Sequence, residues 1–213
     1  LTDNSFESDM GGWQERDRFV GAVLPRDSST ASDGSYSLKL TNENFGGNFS
    51  ATVLDQPFDV RDYPVLSFDY RITPGVKTDF YLRVNGRWYD LGFTDDPNDF
   101  RYRDVNIADL GKIDGIVADN QWHSASVNLY DLLRTRTGYT RVYEIMMADW
   151  DVTQYRKLEF GHNPRGATYY IDNFKIAADT TPPTPDILTV DTFEKNDPVN
   201  LLGGSSGVFT NQD

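Results

Sequence analysis

Short alternating runs cut by turn-forming residues constrain this chain more than any other feature. The sharpest case is Asn85-Gly86, flanked by Asp79 to Val84 and Arg87 to Phe93. Asn-Gly between two alternating runs predicts a two-residue β-hairpin. Val65 to Ile72 alternates as cleanly: Leu66, Phe68, Tyr70 and Ile72 face one way, Ser67, Asp69 and Arg71 the other. Tyr36 to Leu40, Ser124 to Leu129, Lys157 to Phe160 and Thr168 to Ile176 are further strands, with Phe49 to Leu54 a weaker one. Helical signal is confined to Leu129 to Arg134, and Tyr143 to Ala148 reads as helix or strand. Many short strands between turn clusters predict an all-β fold, an antiparallel sandwich or barrel with short helical turns.

Composition agrees. Of the 33 acidic residues, 27 are Asp and 6 are Glu. Asp is poor in helix interiors, good in turns and a ligand for calcium. With 20 basic residues the formal charge is −13, so binding to a phosphate backbone is not expected. The absence of cysteine removes disulfides, thiolate zinc sites and thiol catalysis. No apolar run approaches the ~20 residues of a membrane span, so membrane insertion is not expected. At 213 residues the chain holds one full domain and a remainder.

The remainder has its own character. Residues 179–186 contain Pro182, Pro183 and Pro185 among threonines, a composition that favours an extended linker. Beyond it, Asp191-Thr192-Phe193-Glu194 with Gly203-Gly204 echoes Asn4-Ser5-Phe6-Glu7 with Gly11-Gly12. The expected organisation is therefore a sandwich over 1–178, a linker over 179–186, and in 187–213 the start of a following module or a C-terminal arm. Such a chain is expected to be a monomeric piece of a multi-domain, secreted or cell-surface protein.

Four motifs in order carry a resemblance. Asn4-Ser5-Phe6-Glu7 with Gly12-Trp13, Asp33-Gly34-Ser35-Tyr36-Ser37-Leu38-Lys39-Leu40, Gln121-Trp122-His123 running into Val127-Asn128-Leu129, and Tyr169 to Ile176 stand in the sequence at compatible spacing. Together they resemble the jelly-roll carbohydrate-binding modules of secreted polysaccharide-degrading enzymes. The resemblance implies a jelly-roll β-sandwich and a polysaccharide partner. It also implies a structural calcium clipping the chain ends, held by Glu7, Asp172 and the Asp33-Gly34-Ser35 turn, with Asp33, Ser35 and a carbonyl near Ser5 supplying oxygens. Glu7 and Asp172 read equally as strand-end carboxylates that accept from backbone amides.

A ligand face follows from the hairpin. A two-residue loop pairs Val84 with Arg87, Arg83 with Trp88, Leu82 with Tyr89 and Tyr81 with Asp90. One face then holds Phe80, Leu82, Val84, Tyr89, Leu91 and Phe93, the core. The other holds Tyr81, Arg83, Trp88 and Asp90, and Asp69 and Arg71 are expected to join them from the non-core side of Val65 to Ile72. Aromatic rings take the apolar faces of sugars, while guanidiniums and carboxylates take their hydroxyls. The alternative is a loop over Trp88, with Arg83–Asp69 or Arg71–Asp90 as ordinary surface ion pairs. Trp122, Trp150, Phe100 and Tyr102 are secondary candidates.

Catalysis has little in its favour. The two histidines, His123 and His162, form no metal-binding pair, and no Gly-x-Ser-x-Gly elbow exists. Some jelly-roll polysaccharide lyases use Tyr, His and Arg on the concave face. Here Tyr81, Arg83 and Arg71 are available, but alternation puts no histidine beside them. Carboxylate pairs for glycoside hydrolysis depend on a spatial separation that sequence leaves open. The expectation is a non-catalytic polysaccharide-binding module, with a structural or adhesive repeat of a surface protein as the competing reading.

Overall fold

A computed structural model describes residues 1–16, 22–43, 49–94, 107–149 and 163–179. All of these belong to the unit Leu1–Asp179. The expected strand at Lys157 to Phe160, the loop bearing Phe100 and Tyr102, Trp150, His162, and the linker and tail beyond Asp179 lie outside the described residues.

The strands in chain order begin with β1 (Thr2–Asn4), β2 (Gln14–Glu15), β3 (Ala22–Val23), β4 (Arg26–Asp27), β5 (Ser37–Asn42), β6 (Ala51–Leu54) and β7 (Phe58–Asp59). They continue with β8 (Val65–Ile72), β9 (Asp79–Val84), β10 (Arg87–Gly92), β11 (Ile107–Lys112), β12 (Trp122–Asn128), α1 (Leu129–Arg136), β13 (Arg141–Ala148) and β14 (Thr168–Ala177). Among the described residues they form two sheets. The first runs β12-β8-β14-β5-β3, with β1 on β14 and β4 on β5. The second runs β11-β10-β9-β13-β6-β2, with β7 on β13. This is a β-sandwich of the jelly-roll type. Its pairing is antiparallel except where β11 lies parallel to β10, a departure from the purely antiparallel expectation.

The alternating residues of β8 explain why the sheets stack. Leu66, Phe68, Tyr70 and Ile72 are buried while Val65, Ser67, Asp69 and Arg71 are only half-buried. From the second sheet, Phe80, Leu82, Val84, Tyr89 and Leu91 enter the same core. Phe68 makes the join, with its ring 5.2 Å from Phe80 across the interior and 6.4 Å from Phe174 on its own sheet. Trp13 closes the end near the first strand, packing edge-on against Phe6 at 6.0 Å and Phe174 at 5.2 Å. Aromatic pairs prefer such edge-to-face contacts because ring edges are positive and faces negative.

Tyr143 to Ala148 resolves as strand. Burial of Val142, Ile145 and Met147 against β9 decides it, with a bulge between Val142 and Glu144. α1 begins at Asn128, whose Oδ1 accepts from the Asp131 N–H at 3.0 Å, and carries Arg134 and Arg136 in its last turn.

Candidate functional site

The hairpin forms in the register its turn dictates. Asn85 and Gly86 have φ of 47° and 77°, the positive values a two-residue hairpin turn needs. Trp88 lies opposite Arg83, and Asp90 opposite Tyr81. Neighbours on β13 and β11 extend this outer face: Glu144 lies opposite Arg83, Met146 opposite Tyr81, and Ile107 beside Trp88.

The face has two levels. Tyr81, Ile107, Met146 and Ala148 form a small buried apolar cluster on the side away from the main core, and Trp88 packs on it half-buried. Tyr81 and Asp90 are therefore buried parts of the floor rather than exposed ligands. Above the floor, Glu144 pairs with Arg16 and lies 3.7 Å from Arg83. The Arg16 guanidinium sits over the Trp88 ring, 5.3 Å from its centroid. An indole edge, two guanidiniums and a carboxylate thus meet within one patch. Arg supplies only donors and Glu only acceptors, so the patch can satisfy both roles of a hydroxyl group.

Sequence reasoning missed Arg16 and Glu144. Glu144 reaches the face through the β13–β9 pairing, which joins strands distant in sequence, and Arg16 follows β2, whose partner is β6. Alternation inside one run reports in and out but not which strands become neighbours.

Asp69 and Arg71 are corrected on the same ground. They lie on β8, which pairs with β12 and β14 in the first sheet, so they sit on the opposite side of the sandwich from Trp88. Their partners are also local. Arg71 donates to Asn120 O at 3.0 Å, Asn120 Oδ1 at 3.1 Å and Thr30 Oγ1 at 2.9 Å. Asp69 accepts from Ser124 Oγ at 2.5 Å, Ser32 Oγ at 2.7 Å and Asn173 Nδ2 at 2.8 Å. Burial raises the Asp69 carboxyl, but these three donors outweigh it and the net shift is downward. An open hollow of about 530 Å³ lies here, lined chiefly by polar residues, of which Ser124 and Asn173 donate to Asp69. The one aromatic residue among the described residues that line it, Phe68, is buried. Trp122 begins β12 half-buried and donates from Nε1 to Thr30 Oγ1 at 2.9 Å.

The proposed calcium ligands meet around one turn. Glu7 Oε1 accepts from the N–H groups of Ser35 and Tyr36, both at 2.9 Å, and those bonds hold its pKa below the usual carboxylate value. Asp172 is fully buried. Its Oδ2 accepts from Ser32 N at 2.9 Å, Ser32 Oγ at 3.2 Å and Asp33 N at 3.4 Å, and its Oδ1 from Asn173 N at 2.8 Å. Burial pushes the Asp172 carboxyl upward against those donors. The nearby Phe6 and Glu7 carbonyls accept from the Arg26 guanidinium. Among the described residues no group of three or more His, Asp or Glu side chains is placed to hold a metal ion. A calcium site needs six to eight oxygens turned towards one point, and here the carboxylates of Glu7 and Asp172 are turned towards N–H donors. Glu7 Oε1 and both Asp172 oxygens accept from protein donors, the arrangement of strand-end carboxylates on a backbone turn.

No protein-family model and no curated protein matches the chain. Solved structures do. The chain is similar to the xylan-binding domain from CBM 22, at 15% identity and TM-score 0.45, covering 84% of this chain and 95% of that one. It is similar to the CBM22-1 xylan-binding domain from Paenibacillus barcinonensis Xyn10C, at 13% identity and TM-score 0.45, covering 85% and 95%. It is also similar to the family 30 carbohydrate-binding module of the cellulosomal cellulase Cel9D-Cel44B of Clostridium thermocellum, at 15% identity and TM-score 0.45, covering 85% and 94%.

Proposed function

We propose that residues 1–178 form a non-catalytic carbohydrate-binding module that docks a neutral polysaccharide on the outer face of the second sheet. The observation that carries this reading is the patch of Trp88, Arg16, Glu144 and Arg83 above an apolar floor. Sugar C–H groups pack against the indole edge that Arg16 and the floor leave open, and the hydroxyls bond to guanidinium and carboxylate. Mutual pairing of Arg16, Glu144 and Arg83 holds donors and acceptors in place before the ligand arrives, which lowers the ordering penalty of binding. An open face buries only part of a chain-like ligand, so a modest affinity is expected.

Charge narrows the ligand. A protein of formal charge −13 repels polyanions, so a neutral glycan suits it better than an acidic one. Binding also suits the site better than catalysis. His123, the one histidine among the described residues, belongs to the first sheet and bonds Asp119 at 2.8 Å. No helix among the described residues is long and apolar enough to cross a membrane. The proline-rich segment from residue 179 fits a module tethered to neighbouring domains outside the cell.

Native gel electrophoresis in gels cast with xylan, mixed-linkage β-glucan, hydroxyethyl cellulose or mannan tests the proposal. The expected result is retarded migration in at least one neutral polysaccharide. Unchanged mobility in all of them contradicts it.

A further inference from the structure

We infer that the start of the domain is held to its second signature without metal, by the guanidinium of Arg26 on the Phe6 and Glu7 carbonyls and by the Glu7 carboxylate on the turn after Asp33. Arg26 opens β4 and lies opposite Leu38 of β5, so the sheet fixes its backbone. Its Nε donates to Phe6 O at 2.6 Å and its second terminal nitrogen donates to Glu7 O. Phe6 stands in the left-handed region at φ 56°, a conformation non-glycine residues seldom adopt. The two successive carbonyls that follow from this kink meet one planar fork, the geometry guanidinium provides and a spherical ammonium does not.

Two further contacts close the arrangement. The guanidinium lies over the Tyr36 ring, 4.1 Å from its centroid. The Glu7 carboxylate, drawn down further by the charge of Arg26, accepts from the Ser35 and Tyr36 amides. A positive charge, two carbonyls, one carboxylate and the turn after Ser32 are therefore satisfied by the protein alone. Arg26 joins Phe6–Glu7 to β4, Glu7 joins them to the turn, and Asp172 joins the turn to β14. Three of these four segments, the start around Glu7, the turn and β14, are those that the resemblance assigns to calcium; β4 is the addition.

The test is thermal melting of the full chain in excess EDTA and then in saturating calcium chloride, beside the variants Arg26→Met and Arg26→Lys. A native-state calcium site filled at about a hundred times its Kd would raise Tm by roughly 5–10 °C. The expected result is the same wild-type Tm in both conditions. Arg26→Met should melt roughly 3–10 °C lower, with Arg26→Lys in between, because lysine keeps the charge and loses the fork. A calcium-dependent rise in wild-type Tm overturns the inference, as does an Arg26→Met variant that melts with the wild type. An Arg26→Met chain that fails to fold agrees with it provided the wild type ignores calcium.

Discussion

Gly34 and Glu7 are fitted to one another. Gly34 holds φ +67°, and a Cβ built there would lie 2.5 Å from Glu7 Oε1. A side chain at 34 would meet both a disfavoured backbone and the carboxylate that caps the turn. Gly34→Ala should therefore lower the unfolding free energy by about 1–2 kcal/mol, read as a shift in the urea midpoint at constant slope. Asp59 supplies a prediction in pH. It accepts from Arg61 Nε at 3.0 Å, Nη2 at 2.6 Å and the Arg61 N–H at 2.9 Å, and from Thr140 Oγ1 at 3.2 Å. The Arg61 side chain is the chief reason its pKa falls to about 2. A carboxylate depressed in the folded state lends stability that is complete above its unfolded pKa, about 3.9, and fades as the pH falls towards the folded value. The gap in unfolding free energy between wild type and Asp59→Asn should thus narrow between about pH 5 and about pH 2. A gap that stays constant or widens over that window would show that the Arg61 contacts do not govern Asp59.

Among elements, those written locally were legible. The Asn85-Gly86 turn fixed which residues of β9 and β10 face the core, and the structure has that pairing residue for residue. β8 spans Val65–Ile72, the run its alternation marks. α1 is short and capped, and replacing the cap is a measurable change: Asn128→Ala should cost about 1 kcal/mol in urea unfolding. A loss below about 0.3 kcal/mol would mean the Asp131 bond adds nothing beyond solvent. Elements defined by distant partners were not legible. β13 reads as helix or strand until β9 and β6 lie beside it, and β11 pairs parallel to β10 across residues 93–106, a connection with no hairpin signature. The same gap hid Glu144 and Arg16 from the candidate site.

For the whole molecule, alternation separated inside from outside but could not assign outer faces to sheets. β8 and β9 are neighbours in sequence and belong to different sheets, so the six residues expected on one ligand face divide between opposite sides of the sandwich. Tyr81, Arg83, Trp88 and Asp90 share a side, two of them buried in its floor, while Asp69 and Arg71 hold the Thr30–Ser32 segment on the other. This division gives the account its control, since each outer face has a half-buried tryptophan, Trp88 on the second sheet and Trp122 on the first. The most direct measurement is isothermal titration of wild type, Trp88→Ala and Trp122→Ala with whichever neutral polysaccharide retards the wild type, with far-ultraviolet circular dichroism to show that each variant is folded. Removing the aromatic surface that the ligand meets is expected to weaken Trp88→Ala at least tenfold, about 1.4 kcal/mol, and to leave Trp122→Ala at the wild-type affinity. Wild-type affinity in a folded Trp88→Ala, or a loss confined to Trp122→Ala, would contradict the placement of the ligand on the second sheet.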